Sequence, residues 1–112
     1  MPQYALLMYH PDGGPPADQM ADLHQRWQRF AQDLKDAGAL VFNQGLRGTD
    51  AATTVRVRDD ETQLTDGPFA ETKEQLAGMF VVEAADLDGA LSWAARMPSA
   101  TYGAVEVRPV WG

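Results

Sequence analysis

The chain has 112 residues, with 9 Lys and Arg against 16 Asp and Glu, for a net charge of −7 with both His neutral. That length suits one domain spanning 1–112, and the 45% hydrophobic and 22% charged fractions are those of a chain that builds a core rather than a disordered one. The acidic balance, with only Lys35 and Lys73 as lysines, argues against nucleic acid as a partner. Cysteine is absent, which removes disulfides, thiolate metal sites and a Cys nucleophile together. With only His10 and His24, no metal site and no cofactor are expected. No stretch approaches the roughly 18 apolar residues of a membrane span, and Met1-Pro2-Gln3-Tyr4 has no basic leader, so the expectation is a cytoplasmic protein with no membrane partner.

Residues 3–9, QYALLMY, are short, apolar and aromatic, and end at Pro11-Asp12-Gly13-Gly14-Pro15-Pro16, which predicts a buried first strand and then a loop. Asp18 stands where a helix N-cap belongs. Met20, Leu23, His24, Trp27, Phe30, Ala31 and Leu34 then recur every three or four residues, one apolar stripe along about five turns. Trp27 and Phe30 are expected in the core and His24 half-buried within the stripe. Gly38 supplies a left-handed stop. Residues 39–46 read as a second strand, and 53–58, TTVRVR, alternate as a third. Asp59-Asp60-Glu61 reads as a solvated turn and 62–65 as a short return strand. After Asp66-Gly67-Pro68 and the polar stretch 70–75, residues 77–83 form another strand. Asp86 caps a helix striped by Leu87, Ala90, Leu91 and Ala94, Met97-Pro98 ends it, and 104–110 is the last strand.

The order is β-α-β, a hairpin, then β-α-β. This is the α+β, ferredoxin-like plan, with both helices on one face of an antiparallel sheet and strand one near its centre. The other face is left uncovered. In the last strand Val105, Val107 and Pro109 share one side, and Glu106 and Arg108 the other. Val55 and Val57 are expected to meet the helices, and Phe42 or Phe80 to mix with charge on the uncovered side. Such a face is covered in soluble proteins, so a homodimer is expected, with two sheets face to face around a partly polar cavity. Trp93 and Trp111 are further candidates for contact with a partner subunit.

Residues 66–74, DGPFAETKE, carry the chemistry. Asp and Pro form a turn, and Phe69, alone in a polar loop, is expected to be buried and to anchor it. Glu71, Lys73 and Glu74 set carboxylates beside an ammonium, and Gly78 allows close backbone approach. His10 stands where a strand opens into a Gly/Pro loop, a place where functional residues collect. The expected site joins this loop to the end of strand one and the charged side of the last strand.

With TTVRVRD at 53–59, TDGPFAETKEQLAGMFVVEA at 65–84, DLDGALSWAARMP at 86–98 and GAVEVRPV at 103–110, nearly the whole chain resembles the YCII-related proteins, in particular the branch marked by an Asp-Gly-Pro-Phe motif, the DGPF-domain proteins. The resemblance implies a ferredoxin-like chain paired into a dimeric α/β barrel. Some YCII-like relatives resemble small enzymes acting on lactones or chlorinated rings through a His–Asp pair. Genes of the DGPF branch often lie beside those of extracytoplasmic-function sigma factors, so the resemblance also implies a regulatory setting. Asp66, Gly67, Pro68, Phe69, Glu71, Lys73 and Glu74 match the signature position by position, and His10 is the nearest candidate for the enzymatic histidine. Two functions follow as expectations. One is a homodimeric small-molecule-binding or accessory module. The other is a cofactor-free acid–base enzyme with Asp66 or Glu71 as base, and His10, Lys73 or Arg108 stabilising an enolate. Lys73, Glu74, Arg108 and Glu106 are the candidate ligand contacts.

Overall fold

The computed structural model describes residues 1–112. Strands β1 (Gln3–Pro11), β2 (Leu40–Gly45), β5 (Glu74–Glu83) and β6 (Ala104–Pro109) form one antiparallel sheet in the order β2-β5-β1-β6. Helices α1 (Met20–Asp36) and α2 (Leu87–Arg96) follow β1 and β5. Strands β3 (Thr53–Arg58) and β4 (Glu61–Asp66) pair only with each other, as a separate two-stranded sheet. With the hairpin set aside, the strand order is that of the ferredoxin-like fold, and β1 lies in the interior of the sheet as the sequence implied.

Local chemistry explains the elements. The Asp86 carboxylate accepts from the Gly89 amide at 2.9 Å and caps α2. Gly38, at φ +68°, ends α1. Asp59 and Asp60 both take positive φ in the two-residue turn between β3 and β4, a conformation Asp tolerates better than most residues. Asp18 caps nothing. It falls in a short 3-10 turn, Ala17–Gln19, ahead of α1, and Gln19 takes the cap position without a side-chain bond.

The core lies between the sheet and the helices. Alternation along β1 sends Tyr4, Leu6 and Met8 inward, and β5 sends Phe80 and Val82 beside them. From the helices come Phe30, Leu34, Ala90 and Ala94, with Met97 just past the end of α2. The rings interlock. Trp27 stacks on Phe80 at 5.8 Å, and Phe30 meets Phe80 edge-on at 5.3 Å. Arg96 on α2 pairs with Asp33 on α1.

Several expectations are corrected by the packing. Phe80 faces the helices, while Phe42 alone of the two lies on the other side, opposite Val81. Val55 and Val57 never meet the helices. β2 pairs directly with β5, so the hairpin between them is displaced from the sheet and leaves these valines exposed. The α1 stripe is narrower than its periodicity suggests, since Met20 and His24 are exposed. On α2, Leu87 and Leu91 also face outward. The small residues Ala90 and Ala94 make the contact and let the helix lie close to the sheet.

Two glycines are fixed by close approach. A Cβ on Gly78 would fall 2.6 Å from the Gln44 carbonyl oxygen and from the Met8 methyl. A Cβ on Gly103 would fall 2.1 Å from the Tyr9 carbonyl oxygen. Beside Gly78, β1 and β5 slip register between Met8 and Tyr9, so that Met8 faces Gly78 but Tyr9 faces Leu76. This bulge re-aims the last residues of β1 towards the loop that carries the motif.

Candidate functional site

The segment between β4 and β5 meets the end of β1. Pro11 pairs with Glu74, His10 with Gln75, and the Asp12 amide donates to the Lys73 carbonyl at 3.3 Å. The Thr54 hydroxyl holds the Gly67 carbonyl at 2.9 Å, and the Gly67 amide donates to Ala52 at 2.8 Å. The Gln75 amide bonds the Ala70 and Thr72 carbonyls at 3.0 and 3.1 Å. The motif is thus strapped on one side to the hairpin and on the other to β1 and β5.

Beneath it lies a cavity of about 670 Å³, lined on its apolar side by Tyr9, Leu46, Phe69 and Leu76, with Thr49 and Thr72 as hydroxyl donors and Arg47 and Glu74 as one charge of each sign. Such walls suit a small amphipathic organic molecule. Phe69 is not buried. It is 77% exposed, with the Arg56 guanidinium 5.3 Å above its ring, because the hairpin it sits against stands apart from the core. Glu71 and Lys73 face a neighbouring hollow of about 450 Å³ with Asp12 and Thr49, and the Thr49 hydroxyl donates to Asp12 at 3.3 Å. Asp66 is the last residue of β4, exposed, opposite Thr53, and lines neither space.

His10 and the charges of β6 are divided by the sheet. Leu7 lies opposite Glu106, and Ala5 opposite Arg108, on the face away from the helices. There the Arg108 Nε donates to Glu106 at 2.6 Å and the Tyr9 hydroxyl donates to Glu106 at 3.3 Å. The Arg108 hydrogen bond holds the Glu106 carboxyl below its ordinary range, and Glu106 in turn raises Arg108. Burial, then the Glu106 charge, raises the Tyr9 phenol. His10 points to the helix side, where its Nε2 lies 3.2 Å from the Tyr102 hydroxyl and the two rings are 4.8 Å apart. Burial lowers His10 and raises Tyr102. His10 borders a hollow of about 360 Å³ with Asp12, Arg47 and Thr49, and another of about 390 Å³ with His24, Trp27 and Asn43.

The structure therefore brings His10, Glu71, Lys73 and Glu74 to one end of the sheet in adjoining hollows. It leaves Asp66 outside them and puts Glu106 and Arg108 on the opposite face from His10. Two partners were missed by sequence reasoning. Tyr9 reaches Glu106 only through the pairing and register of β1 with β6, which alternation within one strand does not reveal. Tyr102, 92 positions from His10, carried no local signal. No three His, Asp or Glu side chains converge where they could hold a metal ion.

A protein of Rhizobium meliloti (strain 1021), described as uncharacterized, is 46% identical over 77 residues, 67% of this chain. The match spans 62% of that relative's length. The sequence model of the YCII-related domain matches residues 2–112. With the ferredoxin-like strand order and the motif strapped across the end of β1, the chain belongs to the YCII-related domain family.

Proposed function

We propose that the chain works as a homodimeric small-molecule-binding module of the DGPF branch, with its ligand in the cavity beneath Phe69 and two sheets paired through their helix-free faces as a dimeric α/β barrel. The observation that carries this reading is surplus surface. A folded monomer of 12.3 kDa exposes about 6,100 Å². This subunit exposes 7745 Å², about 1,600 Å² more, with only 16 of its 112 residues buried. Its radius of gyration is 15.8 Å against about 13 Å for a chain of this length, and it is only 18 Å thick. A surplus of that size matches what one subunit of an obligate dimer buries. Half-buried Ala5, Leu7, Met79 and Val81, with exposed Phe42 and the Glu106–Arg108 pair, make up the open face. The setting proposed for the module, on the DGPF resemblance alone, is accessory to extracytoplasmic-function sigma factors in the cytoplasm.

One observation favours a second reading, acid–base catalysis on a small organic substrate. Burial lowers the His10 pKa and so favours its uncharged imidazole, which lies within hydrogen-bond distance of the Tyr102 hydroxyl and borders two hollows. In that reading His10, with Glu71 or Lys73, moves the proton. Asp66 enters only if the β3–β4 hairpin that carries it moves.

Sedimentation velocity at micromolar concentration should give twice the 12.3 kDa chain mass, and native mass spectrometry of the dimer should show a small molecule retained in the cavity. A monomer overturns the reading. Turnover lost in His10→Gln but kept in Phe69→Ala would put the second reading first.

A further inference from the structure

The β3–β4 hairpin has two unlike faces. Register sets Val55 opposite Leu64 and Val57 opposite Thr62, so these four share one side. Thr54, Arg56 and Arg58 share the other. The polar side is occupied by the chain's own loop, through Thr54 on the Gly67 carbonyl and Arg56 over Phe69. The apolar side carries nothing, with Val55, Val57 and Leu64 exposed by 59, 57 and 68%. A two-stranded hairpin is at best marginal alone in water, and this one pairs with no strand of the main sheet.

We propose that this apolar side is an arm that seats on a second copy of the chain, and that seating it completes the ligand cavity. The inference rests on the dimer reading and deepens it. The occupant is a second copy because the surplus surface is of the size an obligate homodimer interface buries per subunit, and the bare side of the arm is part of that surplus. The consequence for the site follows from the arm's polar side. Phe69 and Pro68 line the cavity and are held to the hairpin, not to the core. An arm fixed by a partner fixes that wall, whereas a free arm lets it fluctuate. Association and ligand binding are thereby linked, each strengthening the other.

The test is the double variant Val57→Asp with Leu64→Asp, studied by sedimentation equilibrium beside the wild type. Neither side chain contributes to the subunit's core, so far-UV circular dichroism should be unchanged while the dimer dissociation constant rises at least about tenfold. Anilinonaphthalene sulfonate, used as the cavity probe, should bind the variant more weakly. Hydrogen exchange on the wild type provides a measurement free of mutation. Amides of 53–66 should gain protection as protein concentration crosses the dissociation constant. A wild-type dimer whose variant associates equally well, or whose hairpin exchanges at a rate independent of concentration, overturns the arm and leaves the dimer reading standing. A monomeric wild type overturns both.

Discussion

Replacing Phe42 by Ser probes the open sheet face at its exposed aromatic side chain. Phe42 lies on β2 opposite Val81 and is 49% exposed in the subunit. A Phe presents about 200 Å² in all, so about 100 Å² is left for a partner to cover. At about 25 cal/mol per Å² that is about 2.5 kcal/mol per subunit. Two-fold symmetry doubles it to about 5 kcal/mol, because the same residue is lost from both sides. At about 1.4 kcal/mol per decade, the dissociation constant should rise by three to four orders of magnitude if the ring is fully covered. Half coverage gives about two orders. Sedimentation equilibrium over a concentration series reads the shift directly, and circular dichroism confirms that the subunit stays folded. A dissociation constant within about tenfold of wild type would mean that Phe42 stays in water, and the pairing of open faces would be wrong.

Three further outcomes are expected. Phe69→Ala should cost only about 0.5–1 kcal/mol in urea denaturation, the worth of an exposed ring under Arg56; a loss of about 3 kcal/mol, as for a core Phe, would show the ring covered in solution. Gly103→Ala should cost about 3 kcal/mol or more, since its methyl would overlap the Tyr9 carbonyl and part β1 from β6; a shift below about 1 kcal/mol would mean that the two strands separate there with little penalty. For His10, burial holds the folded imidazole below its ordinary 6.5, so as pH falls through that value the unfolded chain takes the proton first. Stability should fall as pH drops below 6.5 and level off once the folded imidazole also titrates. His10→Gln should flatten that part of the urea-midpoint profile, and an unchanged slope would place the titration elsewhere.

Most of the chain's local order is written in its local chemistry. The strand at 3–9, the aromatic stripe of α1, the Asp86 cap, the Gly38 stop and the turn at Asp59-Asp60 depend on residues a few positions apart, and period and capping are short-range properties. Alternation likewise grouped Val105, Val107 and Pro109 against Glu106 and Arg108, as the ladder with β1 confirms. The ferredoxin-like order followed from the succession of elements, and the motif's place at the end of strand one followed from topology. What the sequence could not decide depends on which strands pair and in which register. β2 pairs with β5, so the hairpin between them is left as an arm, and Val55, Val57 and Phe69 stay in water despite their apolar character. The sheet's own thickness separates His10 from Arg108, although both had been expected at one mouth. Tyr102 meets His10 only because β1 runs beside β6, a contact across 92 residues that no local pattern encodes.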